Sequence, residues 1–149
     1  MVSDKRYWWP KNGLEIMTAN ILIIDDDQKL NQLLTDFLSD FGFKTVTATH
    51  ADYGLKKLNH KTPDLVILYV MLPGMDGFEV CGRLKQDERA CDIPIIFVSA
   101  LQDVRDRVLG FEAGGVDFIS KPFQEEEILA RMRTHMNLRN LQLNLEGIV

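Results

Sequence analysis

The chain alternates between short apolar runs and longer segments in which apolar residues recur every three or four positions. The short runs are Ile21–Ile24, Phe43–Ala48, Leu65–Val70, Ile93–Val98 and Val116–Ile119. Continuous apolar runs rich in β-branched residues predict strands that are buried on both faces, as in a parallel sheet. The second run is weaker and alternates with polar residues, which predicts a strand near the edge.

The longer segments carry their apolar residues on one helical face. Predicted helices run from Leu30 to Phe41 with Gly42 as the stop, from Tyr53 to Leu58, from Phe78 to Leu84, from Val104 to Phe111, and onward from Gln124 or Glu125. Five strands alternating with five helices predict the α/β class, a three-layer sandwich in which helices cover both faces of a five-stranded parallel sheet.

The two ends of the chain differ from this repeating core. Residues 1–16 carry three basic and two acidic side chains, a Trp pair and no continuous apolar segment, so they do not form a secretory signal. We interpret them as an N-terminal extension or an added leader, and residues 17–135 as the domain. Residues 136–149 continue the last helix, where Leu138, Leu141, Leu145 and Ile148 follow a coiled-coil rhythm typical of a dimerising or signalling helix.

Composition narrows the class of protein. Counts of 17 Lys+Arg and 22 Asp+Glu give a net charge of −5, which argues against a nucleic-acid-binding module. No apolar stretch approaches the roughly 20 residues of a membrane span, so we expect no membrane partner. Two cysteines without metal-site spacing favour a reduced, cytoplasmic location.

Polar side chains follow several of the predicted strands, where ligands bind in open α/β sheets. The first strand ends in Asp25, Asp26 and Asp27, and three later strands end at Tyr69, Ser99 and Lys121. Clustered carboxylates need a cation, which Lys121 or Mg²⁺ can supply. Asp27 by itself is explained by N-capping of the following helix.

Several motifs occur together in an order and spacing that resemble the receiver domains of two-component response regulators. They are Ile21–Asp26, Pro63–Leu68 leading into Met71–Gly77, Ile93–Ile96 leading into Ser99-Ala100, and Lys121-Pro122-Phe123. The resemblance covers about residues 20–132 and implies a flavodoxin-like fold, in agreement with the predicted sheet and helices. It also implies a non-enzymatic regulatory module whose partner is a histidine kinase or another signalling protein.

The resemblance further implies roles for individual residues. Asp25 and Asp26 match the acidic pair that holds Mg²⁺, and the backbone carbonyl of Met71 matches a third ligand. Ser99 and Lys121 match the residues that contact the phosphoryl group, and Lys121-Pro122 matches a cis peptide bond. Phe118 matches the aromatic switch that turns inward on phosphorylation.

Tyr69 departs from the family, which carries its phosphoacceptor Asp at this position. A phenol is mostly protonated at neutral pH and forms a stable ester instead of a labile acyl phosphate. The sequence therefore predicts that aspartyl phosphorylation is lost and that Mg²⁺ binding is weakened. Three explanations are open: a natural pseudo-receiver, an ordinary receiver whose acceptor Asp was replaced, and phosphorylation of the tyrosine itself. We expect the Tyr69 hydroxyl to lie near Lys121 or Ser99.

Functions from other classes fit less well. A flavin carrier needs a hydroxyl-rich phosphate loop after the first strand, where this chain has three aspartates. A dinucleotide-binding enzyme needs GxGxxG after a strand, and the sequence has none. A magnesium phosphatase could use Asp25 as its nucleophile, but the motifs of the third strand and at Lys121-Pro122 match receivers far better.

Overall fold

A computed structural model of the chain describes residues 19–100 and 104–147. Strands and helices alternate along it, with five of each in the described ranges. They are β1 (Asn20–Ile24), α1 (Gln28–Ser39), β2 (Lys44–Ala48), α2 (Ala51–Lys56, followed by a 3₁₀ turn, Lys57–Asn59), β3 (Leu65–Tyr69), α3 (Gly77–Gln86), β4 (Ile95–Ser99), α4 (Val104–Glu112), β5 (Asp117–Ser120) and α5 (Glu125–Gly147). The predicted α/β architecture is confirmed.

The strands form one parallel sheet in the order β2-β1-β3-β4-β5. Successive side chains along a strand point to opposite faces, so the apolar strands supply two cores at once. On β1, Ile21 and Ile23 join the core that contains residues of α1 and α5, whereas Leu22 and Ile24 join the one with residues of α2 and α3. The predicted edge position of β2 is confirmed.

Some predicted boundaries were wrong by one or two residues, for local reasons. The first helix ends at Ser39 because the chain turns through Asp40 and Phe41, and Gly42 then takes a positive φ of 89°. Strand β4 begins at Ile95, two residues later than predicted. Before it, the Ile93 N–H is bonded within a turn to Ala90, and Pro94 has no N–H to donate.

Of the two predicted domain limits, only the C-terminal one falls within the described residues. Residues 1–16, the predicted extension or leader, lie outside the described residues, so that prediction stays a prediction. The predicted limit between residues 135 and 136 falls inside α5, which runs as one helix from Glu125 to Gly147. Along the described residues, no helix combines the length and the apolar character that crossing a bilayer requires.

Candidate functional site

Strands β1 and β3 are neighbours at the centre of the sheet, and the chain leaves them toward opposite edges. Their carboxyl ends therefore form the topological switch point at which α/β sheets bind ligands. Asp25 directly follows β1, and Tyr69 is the last residue of β3. Ser99 ends β4, and Lys121 follows β5. The structure thus brings four of the predicted site residues to one edge of the sheet.

Asp25 is the buried carboxylate of this site, with only 4% of its surface exposed. One carboxylate oxygen lies 2.8 Å from Lys121 Nζ, and the other accepts a hydrogen bond of 3.0 Å from the Asp27 N–H. Burial raises the pKa of the Asp25 carboxyl above its usual value, and the hydrogen bonds from Lys121 and Asp27 oppose that effect. Lys121 is therefore the cation that makes a buried charge tolerable here.

The position of Lys121 is fixed by its backbone. The Lys121 N–H donates to the Ser99 carbonyl oxygen at 2.7 Å, which ties the end of β5 to the end of β4. The Lys121-Pro122 peptide bond is cis, as the resemblance implies. Only 18% of the lysine side chain is exposed, so its ammonium group lies inside the site.

Tyr69 contacts Lys121 through its ring and not in the way that the sequence predicted. Lys121 Nζ lies 3.8 Å from the centroid of the Tyr69 ring, a cation–π contact. The sequence predicted that the tyrosine hydroxyl lies near Lys121 or Ser99, and among the described residues no hydrogen bond joins the hydroxyl to either side chain. The Lys121 ammonium instead donates to Asp25 and lies over the ring face.

The remaining predicted residues differ in exposure. Asp26 and Met71 are exposed, with 53% of the Met71 surface accessible, while Ser99 is fully buried. Asp27 caps α1 by accepting a hydrogen bond from the Leu30 N–H, which confirms its structural explanation. Phe118 is the second residue of β5, 7% exposed, with its ring 6.2 Å from that of Phe97.

The donor set for a magnesium ion is incomplete. Asp25 and Asp26 supply carboxylates, but one oxygen of Asp25 is paired with Lys121, and Tyr69 supplies no carboxylate. Within residues 19–100 and 104–147, no group of three or more His, Cys, Asp or Glu side chains converges. Asp25 and Asp26 thus offer a magnesium ion fewer free carboxylate oxygens than two unpaired aspartates would.

Two residues important for this site carried little signal in the sequence. Asn31 donates from its amide nitrogen to the Asp25 carbonyl oxygen at 2.8 Å and is 3% exposed. The only sign of this role in the sequence is that Asn31 is a polar residue among the apolar residues of α1. Gly77 packs its α-carbon against the backbone of Tyr69 and Val70, where an added Cβ would lie 2.5 Å from the Tyr69 oxygen. Only the folded chain brings these groups together.

The raised pKa of Asp25 predicts a specific pH dependence of folding stability. Between the ordinary aspartate pKa and the raised folded-state value, the folded protein holds a proton that the unfolded chain has lost. Stability therefore falls as the pH rises through that window. We expect Asp25→Asn to abolish this component, measured as the free energy of unfolding in urea at several pH values.

The exposed neighbour provides a graded comparison for that experiment. Asp26→Asn removes a negative charge one residue away that helps to raise the pKa of Asp25. We expect this variant to reduce the pH-dependent component without abolishing it. An Asp25→Asn profile that runs parallel to the wild type across the acidic range would contradict the assignment.

Comparison with known proteins agrees with this geometry. The family profile described as "Response regulator receiver domain" matches residues 21–133. The transcriptional regulator RpaA of Synechocystis, named as DNA-binding, is 42% identical over 113 residues, which are 76% of this chain and 47% of that protein. The chain spans about half the length of the curated relatives it matches.

Solved structures give the same result. The receiver domain of a signal transduction histidine kinase from Syntrophus aciditrophicus superposes with a TM-score of 0.74 at 30% identity, covering 80% of this chain and 91% of that one. A CheY-like receiver domain protein from Methanospirillum hungatei superposes with a TM-score of 0.79 at 22% identity, covering 84% and 98%. The second likeness supports the flavodoxin-like fold alone.

Proposed function

This chain belongs to the response regulator receiver family, and on that premise we propose that it is a regulatory module of two-component signalling that has lost aspartyl phosphorylation. The observation that carries the proposal is Tyr69, a phenol at the end of β3 whose ring is 3.8 Å from Lys121 Nζ. A receiver transfers the phosphoryl group to a carboxylate at this strand end. The module has no enzymatic activity of its own under this proposal and acts by binding partners.

The contacts of Lys121 support the loss of phosphoacceptor chemistry. The Lys121 ammonium contacts the Asp25 carboxylate at 2.8 Å and the face of the Tyr69 ring. Its positive charge, which in a receiver pairs with the phosphoryl group, is therefore already neutralised by Asp25. A phenol is a poor nucleophile at neutral pH compared with a carboxylate, and its phosphate ester is stable where an acyl phosphate is labile. Mg²⁺ binding is weakened for the same reason, since a carboxylate is missing from the site.

A second candidate is an ordinary phosphoacceptor receiver whose acceptor Asp has been replaced by Tyr69. The arrangement of the remaining residues supports this alternative, because Asp25, Ser99 and Lys121 converge at one edge of the sheet. In that case the pocket retains receiver chemistry and lacks only its nucleophile. Phosphorylation of the tyrosine hydroxyl itself is the third explanation.

The test of the proposal is treatment of the chain with acetyl phosphate and Mg²⁺, followed by intact-mass spectrometry. We expect no change in mass, because no carboxylate occupies the end of β3. A gain of one phosphoryl group that peptide mapping assigns to any aspartate would refute the loss of aspartyl phosphorylation. A gain that maps to Tyr69 would favour the third explanation.

The partner of the module is proposed to be a histidine kinase or another signalling protein. The sequence predicted no direct nucleic-acid partner, whereas several relatives are named as DNA-binding or transcriptional regulators. Those names describe whole proteins, of which this chain spans about half. We therefore propose that its role in such a protein is to regulate a DNA-binding output, with the acidic receiver itself making no DNA contact.

A second copy of this chain is a further proposed partner, through the end of α5. Leu138, Leu141 and Leu145 are 57%, 61% and 74% exposed and follow coiled-coil spacing. We expect the double variant Leu138→Gln/Leu141→Gln to raise the dimer dissociation constant by more than about tenfold, because each leucine buried in such a seam contributes about 1.5 kcal/mol or more. Sedimentation velocity over a concentration series measures this change.

Leu143 provides the matched control, since it is 45% exposed on the same helix but lies off the leucine seam. Leu143→Gln should leave the sedimentation profile of the wild type unchanged. A wild-type chain that remains monomeric at every concentration would exclude the homodimer and leave the receiver proposal intact.

A further inference from the structure

A second concave site opens toward the amino-terminal end of the sheet, between the edge strand β2 and the 3₁₀ turn that follows α2. It is a groove with a volume of about 160 Å³. Apolar side chains of two strands and of the segment before β3 form one part of its lining, and basic side chains in and after the 3₁₀ turn form another. The residues that matter here are Leu22, Val46, Pro63, Lys57, His60 and Lys61.

The apolar part of the groove exists because helical packing over β2 is incomplete. Val46 pairs with Leu22 in the parallel register, so the two side chains lie on the same face of the sheet. Leu22 is 2% exposed in a core that also contains Leu58 of the 3₁₀ turn, whereas Val46 is 42% exposed. A side chain on the helix-covered face of a sheet is ordinarily buried. Val46 is instead an apolar surface that a ligand can reach from solvent.

The basic part of the groove is unpaired. Lys57, His60 and Lys61 line it, and none of them forms an ion pair with a carboxylate of the described residues. Lys57 is held by a cation–π contact, with its Nζ 4.8 Å from the centroid of the Tyr53 ring. Residues 44–61 contain four lysines and one aspartate, in a chain whose net charge is −5. This local excess of positive charge attracts an anion to the groove.

Volume and charge together define the ligand class. An apolar cavity of about 150 Å³ accommodates benzene, so a single six-membered ring matches the size of this groove. Lysine ammonium groups donate short, charge-assisted hydrogen bonds to carboxylates. We propose that the groove binds a small aromatic carboxylate, with its ring against Val46 and its carboxylate at Lys57 and Lys61.

The groove and the receiver site lie toward opposite ends of the same strands. Pro63 lines the groove before β3 begins, whereas Asp25 and Tyr69 stand where β1 and β3 end. A ligand in the groove would give the module a chemical input that requires no phosphoryl group. The proposal does not rest on the loss of aspartyl phosphorylation, because no residue of the groove takes part in that chemistry. Acetyl phosphate treatment therefore leaves it unaffected.

The test is a titration of the full ¹⁵N-labelled chain with sodium benzoate at constant ionic strength, followed by amide chemical shifts. We expect saturable shifts at Val46, Lys57 and Lys61, with a dissociation constant on the order of 1 mM, as is typical of a ligand with so few atoms. Sodium acetate keeps the charge without the ring, and benzyl alcohol keeps the ring without the charge. Each should bind at least about fivefold more weakly than benzoate.

The comparison compounds make each part of the proposal refutable. An absence of saturable shifts with benzoate would overturn the proposal and leave a packing gap filled by water. Equal affinities for benzoate and benzyl alcohol would contradict recognition of the charge and indicate a contact site for an apolar side chain of another protein. Equal affinities for benzoate and acetate would contradict recognition of the ring.

Variants that remove one charge locate the binding surface. Lys57→Gln and Lys61→Gln should each weaken benzoate binding by about threefold, the effect of one exposed ion pair. Lys56→Gln removes the same charge at an adjacent exposed position that does not line the groove, so it should leave the affinity unchanged. The amide spectra of the unliganded variants report whether each is folded. Equal affinities in all three variants and the wild type would refute the assignment.

Discussion

Replacing Tyr69 with aspartate is expected to make the chain accept a phosphoryl group from acetyl phosphate in the presence of Mg²⁺. The variant puts a carboxylate at the end of β3, next to Asp25 and within reach of Lys121. It supplies a carboxylate nucleophile and a third acidic group for the metal. A carboxylate about 4 Å from a cation contributes roughly 4 kcal/mol per unit of cation charge at an effective dielectric of 20, so Mg²⁺ affinity should rise at least about tenfold.

Intact-mass spectrometry gives an all-or-none measurement of this change. The wild type should keep its mass, and the Tyr69→Asp variant should gain one phosphoryl group that is lost on mild alkaline treatment, as an acyl phosphate is. Tyr69→Asn is the matched control, because it removes the ring but introduces no nucleophile. It should stay unmodified, and circular dichroism should show that all three proteins are folded.

The result separates the two main explanations of Tyr69. Modification of Tyr69→Asp shows that Ser99, Lys121 and the acidic pair still form a competent receiver site, as expected if only the acceptor was replaced. A folded Tyr69→Asp protein that neither binds Mg²⁺ nor gains mass would show that the site has diverged beyond one residue. That outcome would support a module which acts only by binding its partners.

The second large effect is expected at Gly77, where α3 begins. A Cβ at this position would lie 2.5 Å from the Tyr69 carbonyl oxygen and 2.9 Å from the Val70 α-carbon, and backbone atoms cannot move aside as a side-chain end can. The Gly77 N–H also donates to the Val70 carbonyl oxygen at 2.8 Å, which holds the two segments together. We expect Gly77→Ala to lower the free energy of unfolding by about 3 kcal/mol, measured by urea denaturation.

The same helix offers a matched control for this substitution. A Cβ at Gly82 would meet no atom within 4 Å, and the residue lies in the interior of α3. Gly82→Ala should therefore stabilise the protein by about 0.5–1 kcal/mol, because alanine loses less backbone entropy than glycine in a helix. Equal effects of the two substitutions would show that close packing against Tyr69 does not determine the role of Gly77.

The prediction of the fold from the sequence succeeded because its signals are local. A strand buried on both faces must be apolar throughout, and Leu65–Tyr69 is such a segment. A helix covering one face repeats its apolar residues every three or four positions, as Leu30, Leu34 and Leu38 do. Errors remained at element ends, where single turns and Pro94 decided the boundary.

The convergence of the site also followed from the sequence, since parallel strands bring their carboxyl ends to one edge. Asp25, Ser99 and Lys121 could therefore be placed together before any distance was known. The contact made by Tyr69 could not, because it depends on which partner Lys121 takes. The buried Asp25 carboxylate binds the ammonium, and the tyrosine presents its ring to the same group.

By itself, the sequence determined the order of strands and helices, the two-sided core and the edge of the sheet at which the polar groups meet. Only the tertiary structure decided that Lys121 lies between Asp25 and the Tyr69 ring, that Gly77 must lack a side chain, and that Asn31 is buried against the Asp25 backbone. The physical reason is how far apart in the sequence the interacting residues lie. Periodicity is read along a few neighbouring residues, whereas burial, ion pairing and close packing join residues that are distant in the chain.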